Sequence, residues 1–226
     1  MNVQELFPET FDLVTKAHKG IHGGHDIHHA TRVATWAQRI AMNEWGDQCV
    51  AKLAGLAGLC HNADRLIEHQ YGHGNAPESA TRELLTSWLE TSDISVDELE
   101  IVLSAVLNHG AKNSANDSRV KKALADADKV VNMALDLIIR SGQLYHDLPA
   151  VDHVWFVNDP EATYLNPKSS LKDIWYSPAE WVDPSCPFCF CTSLGWRIGE
   201  KRAQNLTDYI QTLRAQMEED GIVFKE

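Results

Sequence analysis

The chain has 226 residues, 44% of them hydrophobic, and a formal net charge of −12 at pH 7. This length and apolar content are typical of a globular protein with one large or two small domains, and they exclude a disordered chain. The negative charge argues against a nucleic-acid partner, because such binding depends on clusters of Lys and Arg. No apolar run approaches the roughly 20 residues that cross a bilayer, and the acidic start lacks the features of a signal peptide. We therefore expect a cytoplasmic protein without a membrane partner, and the sequence predicts no oligomeric state.

Apolar residues that recur every three or four positions predict a chain that is almost entirely helical. One or two short helices are expected over residues 1–20, followed by a glycine-broken loop at 20–26. Asp26 then occupies the cap position of a helix expected over about 27–44. His29 stands at the head of the apolar stripe of this helix, and a core-facing histidine is therefore predicted. The stripe continues with Val33, Trp36, Ala37, Ile40 and Ala41.

The next predicted helix, about 48–68, is apolar on nearly every side, which is typical of a helix inside a large core. His61 and Asn62 interrupt it. A buried polar pair must be hydrogen-bonded or bound to a metal, because burial without a partner costs about 1–3 kcal/mol per group. The pair is therefore either a structural hydrogen-bonded pair or the floor of a site.

Further helices are expected over about 78–90, 96–109 and 118–140. His109 continues the buried face of the second of these helices. Asp128 lies in the apolar stripe of the third, where a carboxylate requires a partner. The other members of that stripe are Leu124, Val131 and Leu135.

The character of the chain changes over residues 141–190, which are rich in proline and tryptophan. Only short elements are expected there, with at most one hairpin near 153–164, and the large apolar residues indicate an ordered excursion and not a linker. A last helix over about 192–220 closes the fold. We therefore predict a helical domain over 1–145. Residues 146–226 would form an aromatic- and cysteine-containing excursion and a closing helix, both packed on that same domain.

The cysteines offer a second candidate site. Cys186, Cys189 and Cys191 supply three thiols at short spacing, and His153 is a candidate fourth ligand for a structural zinc ion. The usual zinc pattern has two separated pairs, so we favour the alternative, in which these thiols are free. Five cysteines in a chain expected to be cytoplasmic do not predict a disulfide framework.

Four predicted helices each place a metal-ligand type against the core: His29, His61 with Asn62, His109 and Asp128. Each has a structural explanation when taken alone, because buried histidines and aspartates often serve only as hydrogen-bonding groups. Their coincidence within one part of the chain favours a metal site, since helical bundles build such sites from imidazoles and carboxylates on facing helices.

His29, His61, Asn62 and Asp128 lie in three segments that resemble a known family. The segments are HDIHHATRV (25–33), LAGLCHNADR (56–65) and ADADKV (125–130). In order, spacing and surroundings they are similar to the HD-domain superfamily of metal-dependent phosphohydrolases, whose motif is His…His-Asp…Asp. The resemblance covers about residues 20–140. It implies an all-α, HD-domain-like helical bundle, here with an irregular, aromatic-rich C-terminal elaboration.

The resemblance also implies a ligand set. His29, the doublet His61–Asn62 and Asp128 would line a pocket for a divalent metal ion such as Fe, Mn, Zn or Mg. Asp126 is the rival for the last position, but it lies off the apolar stripe that contains Asp128. The position on the helical wheel and the position in the motif both favour Asp128.

Two-metal members of the superfamily have two more histidines, and His73 and His109 stand at similar places, so the resemblance implies one ion or two. Arg65, one turn after His61, and Lys129, next to the predicted aspartate ligand, match positions that contact phosphate in some members. Arg32 belongs to the H-x-x-R-V pattern and has an equally good interpretation as a structural arginine paired with a carboxylate.

Asn62 departs from the motif, which has Asp at this position. An amide offers one neutral carbonyl oxygen, binds a cation more weakly than a carboxylate and accepts no proton. Asp64 projects from a different face and is a poor substitute. The sequence thus predicts a phosphohydrolase that acts on a small phosphorylated metabolite or nucleotide through a metal-activated water. One alternative is a catalytically degenerate ligand-binding or sensor protein that keeps the pocket, and another is a helical protein whose histidines are only structural.

Overall fold

The computed structural model describes residues 2–21, 24–72, 74–163 and 166–225. Within those ranges the chain is all-α and contains no strand, which confirms the predicted fold class. The helices are α1 (Val3–Leu6), α2 (Pro8–Ala17), α3 (Ile27–Trp45), α4 (Gln48–Cys60), α5 (Ala63–Tyr71), α6 (Glu78–Leu89), α7 (Val96–Leu107), α8 (Arg119–Asn132), α9 (Leu137–Leu144), α10 (Lys172–Trp181) and α11 (Ser193–Glu219).

Helix α3 begins where the sequence predicts. The side chain of Asp26 accepts a hydrogen bond of 2.9 Å from the backbone N–H of His29, which satisfies one of the free donors of the first turn. At the other end Gly46 adopts a left-handed conformation with φ of 62° and donates to the carbonyl of Met42. The tight connection that follows turns the chain directly into α4.

Helices α3 and α4 pack unusually closely because small residues line their contact. A Cβ atom added to Gly58 would lie 2.7 Å from the Cα atom of Ala34, a distance that real Cβ atoms do not tolerate. Since the short turn reverses the chain, the start of α3 lies beside the end of α4. This arrangement brings His29 and His61 together from positions 32 residues apart.

The helix predicted over 48–68 is in fact two helices, and the break falls on the His61–Asn62 doublet. The ring nitrogen Nδ1 of His61 lies 2.7 Å from the carbonyl oxygen of Gly58. In a continuous helix that carbonyl would accept the backbone N–H of residue 62, so the side chain competes with the helix at this point. The prediction of one helix was therefore wrong at the doublet.

The helix predicted over 118–140 is also divided, because α8 ends at Asn132 and α9 begins at Leu137. The intervening residues contain no glycine or proline, and the apolar spacing continues across them. The guanidinium of Arg140 folds back to the carbonyl of Val131 at 3.3 Å. Tertiary contacts of this kind end the helix where the sequence alone predicts continuation.

The core consists of two buried clusters that share α8. The first is built mainly from α3, α4, α7 and α8. The second lies between α8, the segment after α9 and helix α11, and its buried members include Val130, Met133 and Leu206. Helix α11 packs against both α8 and α10, and the predicted division of the chain at residue 145 stays a prediction.

The C-terminal segment is less aromatic in its packing than predicted. Its described ring pairs are Phe156 with Phe224 and Phe190 with Trp196, and they do not join into an aromatic cluster. The hairpin expected near 153–164 is also absent from the described residues. Only isolated bridges occur there, Asp152 with Phe156 and Thr163 with Asn166.

Candidate metal centre

Three side chains from three helices converge on one point. The Nε2 atoms of His29 and His61 lie 3.2 Å apart, and Oδ1 of Asp128 lies 3.2 Å from the first and 3.5 Å from the second. Both imidazoles are buried, while the carboxylate is 23% exposed. The sequence-based prediction that these residues converge is confirmed.

The spacing fits a single divalent ion. Ligand atoms bound at about 2.0–2.3 Å from one ion lie roughly 3–4 Å from each other, and the three observed separations fall between 3.2 and 3.5 Å. Among the described residues, His29, His61 and Asp128 form the one group of three or more His, Cys, Asp or Glu side chains with donor atoms this close. Two imidazoles and a carboxylate suit a transition metal.

A backbone contact orients His61 for this role. Its Nδ1 atom lies 2.7 Å from the Gly58 carbonyl, which can only accept, so Nδ1 carries the proton. The lone pair of Nε2 is then available to a cation on the side that faces His29 and Asp128. Metal-binding histidines usually hold their second nitrogen in this way.

The charge state of the group is favourable for a cation. Burial by itself would raise the pKa of Asp128, but the contacts with His29 and His61 outweigh it and hold the pKa well below its usual value. Burial lowers the pKa of His29, although the neighbouring Asp128 opposes that shift. An ionised carboxylate beside a neutral imidazole is the form that binds metal ions.

Asn62 lies beside this group as a buried residue, 3% exposed. Its Nδ2 atom has no hydrogen-bond partner in the part of the chain that the structure describes. An unpaired buried amide is costly, so this side chain is not explained as a structural hydrogen-bonded pair with His61. Its role as a ligand stays a prediction.

The two histidines proposed for a second ion have different outcomes. The ring of His109 stands edge-on to that of His61, with centroids 5.6 Å apart, and its Nδ1 lies 2.6 Å from the Val106 carbonyl. Its Nε2 atom is therefore available, but it does not join the group of three donors. His73 lies outside the described residues, so a second metal stays a prediction.

The two cationic side chains proposed for phosphate binding are engaged elsewhere. Arg65 donates from Nη1 to both carboxylate oxygens of Glu68 at 3.0 Å. The amine of Lys129 contacts the Cys189 carbonyl at 3.5 Å and the carboxylate of Asp126 at 3.8 Å. A phosphate contact by either side chain stays a prediction, and it would require the side chain to leave these partners.

Asp126, the rival ligand, has a different role. Its carboxylate accepts hydrogen bonds from the backbone N–H groups of Cys191 and Thr192 and from the Thr192 hydroxyl, at 2.7–3.0 Å. It thus fixes the start of α11. A Cβ atom on Gly195 would lie 2.4 Å from the same carboxylate, so the first turn of α11 needs glycine there. Asp128, and not Asp126, therefore joins the group of three donor atoms, and its role as a metal ligand stays a prediction.

The cysteine segment forms no comparable group. Within the described residues Cys186, Cys189 and Cys191 are free thiols and do not assemble three close metal-binding donors. Burial raises the pKa of the Cys191 thiol to about 11, which disfavours the thiolate that binds zinc. The interpretation as free thiols is the one that the structure supports.

Sequence reasoning missed two residues near the site. His25 stacks edge-on against His29 with ring centroids 5.8 Å apart, and burial lowers its pKa to about 3. Asn132 donates from Nδ2 to Oδ1 of Asp128 at 2.9 Å. Asn132 lies one helical turn after Asp128, and that spacing is the signal that identifies it.

The chain shares its fold with solved structures over nearly its full length. A protein described as a predicted HD superfamily hydrolase, from an uncultured Thermotogales bacterium, matches with a TM-score of 0.61 and 21% identity over 96% of this chain and 99% of that one. A protein of Listeria innocua matches with a TM-score of 0.63 and 17% identity over 96% and 98% of the two chains. A protein of Lactobacillus plantarum matches with a TM-score of 0.64 and 12% identity over 96% and 99%.

These similarities confirm the fold that the resemblance implies, since the chain shares it with a predicted HD superfamily hydrolase. No protein-family model and no curated protein matches the chain. Among the described helices, none is both long enough and apolar enough to cross a bilayer.

Proposed function

From the fold of an HD superfamily hydrolase and the convergence of His29, His61 and Asp128, we propose that this protein is a metal-dependent hydrolase of phosphoric esters. The observation that carries the proposal is the mutual distance of 3.2–3.5 Å between the three donor atoms. Because imidazole and carboxylate together suit Fe, Mn or Zn better than Mg, the transition metals are the first choice for the ion.

The three side chains would both hold the ion and determine the net charge of the metal centre. When bound, a divalent ion activates water for attack and polarises a phosphoryl oxygen. His29 and His61 would bind the ion through neutral nitrogen atoms, so the single negative charge of Asp128 would leave the centre with a net positive charge. That charge favours an anionic substrate, even though the chain as a whole carries −12.

Arg65 is the cation proposed for the phosphate. Its side chain is 28% exposed and sits on α5, directly after the doublet. A phosphate would compete with Glu68 for the guanidinium, and its greater charge favours the exchange. A small phosphorylated metabolite or nucleotide is therefore the proposed substrate class.

The second candidate function is a ligand-binding or sensor protein that has lost turnover. It is favoured by Asn62, which is buried beside the ligands and brings no negative charge and no proton acceptor. Such a protein would bind metal and a phosphorylated ligand without hydrolysing it.

A paired assay distinguishes these functions. The purified protein is analysed for bound metal, and Asn62→Asp and Asp128→Ala are assayed beside it on a panel of phosphomonoesters, phosphodiesters and nucleotides. Hydrolysis by the unaltered protein that is lost in Asp128→Ala supports the hydrolase. Metal and ligand binding without turnover supports the sensor. Absence of metal binding in the unaltered protein contradicts both.

A further inference from the structure

The carboxylate of Asp128 is held by a partner on its own helix. Asn132 lies four residues later on α8, and its Nδ2 atom donates to Oδ1 of Asp128 at 2.9 Å. This oxygen is the one that faces both imidazoles. A carboxylate oxygen can accept more than one contact, so the hydrogen bond leaves Oδ1 able to bind a cation.

The direction of this hydrogen bond is fixed by the next residue in the network. Nη1 of Arg140 lies 3.3 Å from Oδ1 of Asn132. A guanidinium only donates, so the atom of Asn132 that faces it must be the carbonyl oxygen. The amide NH₂ must then point to Asp128, whose ionised carboxylate only accepts. The hydrogen bonds therefore run in one direction: Arg140 donates to Asn132, and Asn132 donates to Asp128.

Arg140 is itself anchored on several sides. Its Nε donates to Oδ2 of Asp136 at 3.1 Å, and Nη2 donates to the carbonyl of Val131 at 3.3 Å. Nη1 also lies 3.3 Å from the carbonyl of Gly24, in the loop before α3. Arg140 thus connects the end of α8, the start of α9 and the loop that leads to His29.

Gly24 is adapted to this contact. Its φ of 102° lies in the left-handed region, and a Cβ atom there would stand 3.2 Å from Nη1 of Arg140. Both the conformation and the close approach favour glycine. Asp136 is in turn held by Arg32, which donates to both of its oxygens at 2.6 and 3.1 Å.

We propose that Asn132 and Arg140 are positioning residues that orient the Asp128 carboxylate towards the metal pocket. The inference rests on the metal site of the proposed function but not on the identity of the substrate. Rotation about the last side-chain bond of an aspartate is broad in energy, so a free Asp128 would often turn Oδ1 away from the two imidazoles. Residues that hold a ligand in this way commonly change metal affinity by about 10–100-fold when they are replaced.

The test measures binding of Mn²⁺ by calorimetry in the purified protein. Asn132→Leu keeps the approximate size of the side chain and is well tolerated in a helix, but it removes the donor. Asn132→Ala is a second variant in case the first does not fold. We expect the dissociation constant to rise by about 10–100-fold in either variant. The absorption spectrum of the Co²⁺-loaded protein should also change, because it reports the arrangement of the ligands.

A matched control exists on α11. Gln204 donates to Asp208 at 2.7 Å with the same four-residue spacing, but on an exposed surface. Gln204→Ala should leave Mn²⁺ affinity within about twofold of the unaltered protein, since exposed helical pairs contribute little. Arg140→Lys keeps the charge but loses the fork of donors, and it should weaken binding less than the Asn132 variants do.

The outcomes separate this inference from the function on which it rests. Weaker binding in the Asn132 variants, with an unchanged melting temperature of the metal-free protein, supports the positioning role. Affinity equal to that of the unaltered protein overturns it. A Co²⁺ spectrum that does not change when affinity falls also overturns it, because the ligands would then be arranged as before. If the unaltered protein binds no metal, the proposed function itself fails.

Discussion

Helix α8 carries two aspartates, Asp126 and Asp128, that are only two residues apart. They lie on different faces of the helix and have different roles. Asp128 points to the first cluster, where it meets His29 and His61. Asp126 points to the second cluster, where it is fully buried and accepts hydrogen bonds from Cys191 and Thr192. One carboxylate belongs to the group of three donor atoms, and the other holds a helix in place.

The two environments shift the pKa values in opposite directions. Burial raises the pKa of Asp126, although Lys129 and the hydrogen bonds oppose that shift. For Asp128 the opposing contacts with His29 and His61 prevail over burial, and the pKa falls well below its usual value. The comparison teaches that burial does not by itself identify a functional carboxylate, because the more deeply buried of the two is the structural one.

The largest expected effect is on stability, at Asp126. Asp126→Ala removes the carboxylate that faces the amine of Lys129, and it leaves two backbone N–H groups and the Thr192 hydroxyl without their acceptor. The free energy of unfolding should fall by about 3–5 kcal/mol, as measured by urea denaturation of the metal-free protein. Ser95→Ala, which removes the exposed cap of α7, should cost only about 1 kcal/mol and serves as the control. A similar small loss in both variants would contradict the structural role of Asp126.

At Asp128 the main effect should be on binding. Asp128→Ala removes the only charged ligand of the group, and Mn²⁺ affinity should fall by at least about 100-fold, or about 2.7 kcal/mol. Calorimetry measures this value, and denaturation of the same metal-free sample should show a smaller loss of stability than in Asp126→Ala. If Asp128→Ala unfolds the protein and Asp126→Ala abolishes binding, the assignment of the two faces is reversed.

Asn62→Asp should strengthen metal binding. A carboxylate at this buried position adds a negative charge next to the ion, in surroundings less polar than water. We expect metal binding to tighten by about tenfold, or 1.4 kcal/mol, and hydrolysis of phosphoesters to rise by at least the same factor. Titration of both forms with Mn²⁺ and a parallel rate assay measure these effects. Equal affinity and equal rates would show that Asn62 is an adapted ligand.

The smallest expected effect is the contribution of His18 to the pH dependence of the free energy of unfolding. Burial lowers the pKa of His18 from 6.5. Just below pH 6.5 the folded state therefore keeps this ring neutral, while the unfolded state binds a proton. Its stabilising contribution is present above pH 6.5 and is lost as pH falls below that value, by at most about 1.4 kcal/mol per unit. The fall in the free energy of unfolding of the metal-free protein between pH 7.5 and 5.5 should be smaller in His18→Gln. An identical fall would contradict the burial of a neutral ring.

The sequence predicted the convergence of His29, His61 and Asp128 better than it predicted the helices that hold them. His29 and Asp128 lie in apolar stripes, and both follow the order and spacing of the superfamily motif, so pattern and resemblance agreed. The helix breaks at His61–Asn62 and after Asn132 were missed, because apolar spacing continues through both. Each break depends on a side chain that reaches a backbone carbonyl, and periodicity does not detect such contacts.

The sequence also did not predict the contacts of the cationic side chains. Lys129 neighbours Asp128 along the chain, but a helix turns about 100° per residue, and this turn directs its amine to Asp126 and Cys189. Arg140 was expected at the end of a helix, and its contact with Gly24 crosses 116 positions of the chain. Tertiary folding decides these contacts, and no local pattern encodes them.

The contact between Gly58 and Ala34 has a consequence for how this protein varies in evolution. Neither residue has a functional group, yet their close approach sets the separation of the two helices that present His29 and His61. Position 58 should therefore remain glycine in related chains as strictly as the ligands remain unchanged. A lineage that has abandoned the site should be recognisable by a larger residue there, even where both histidines persist.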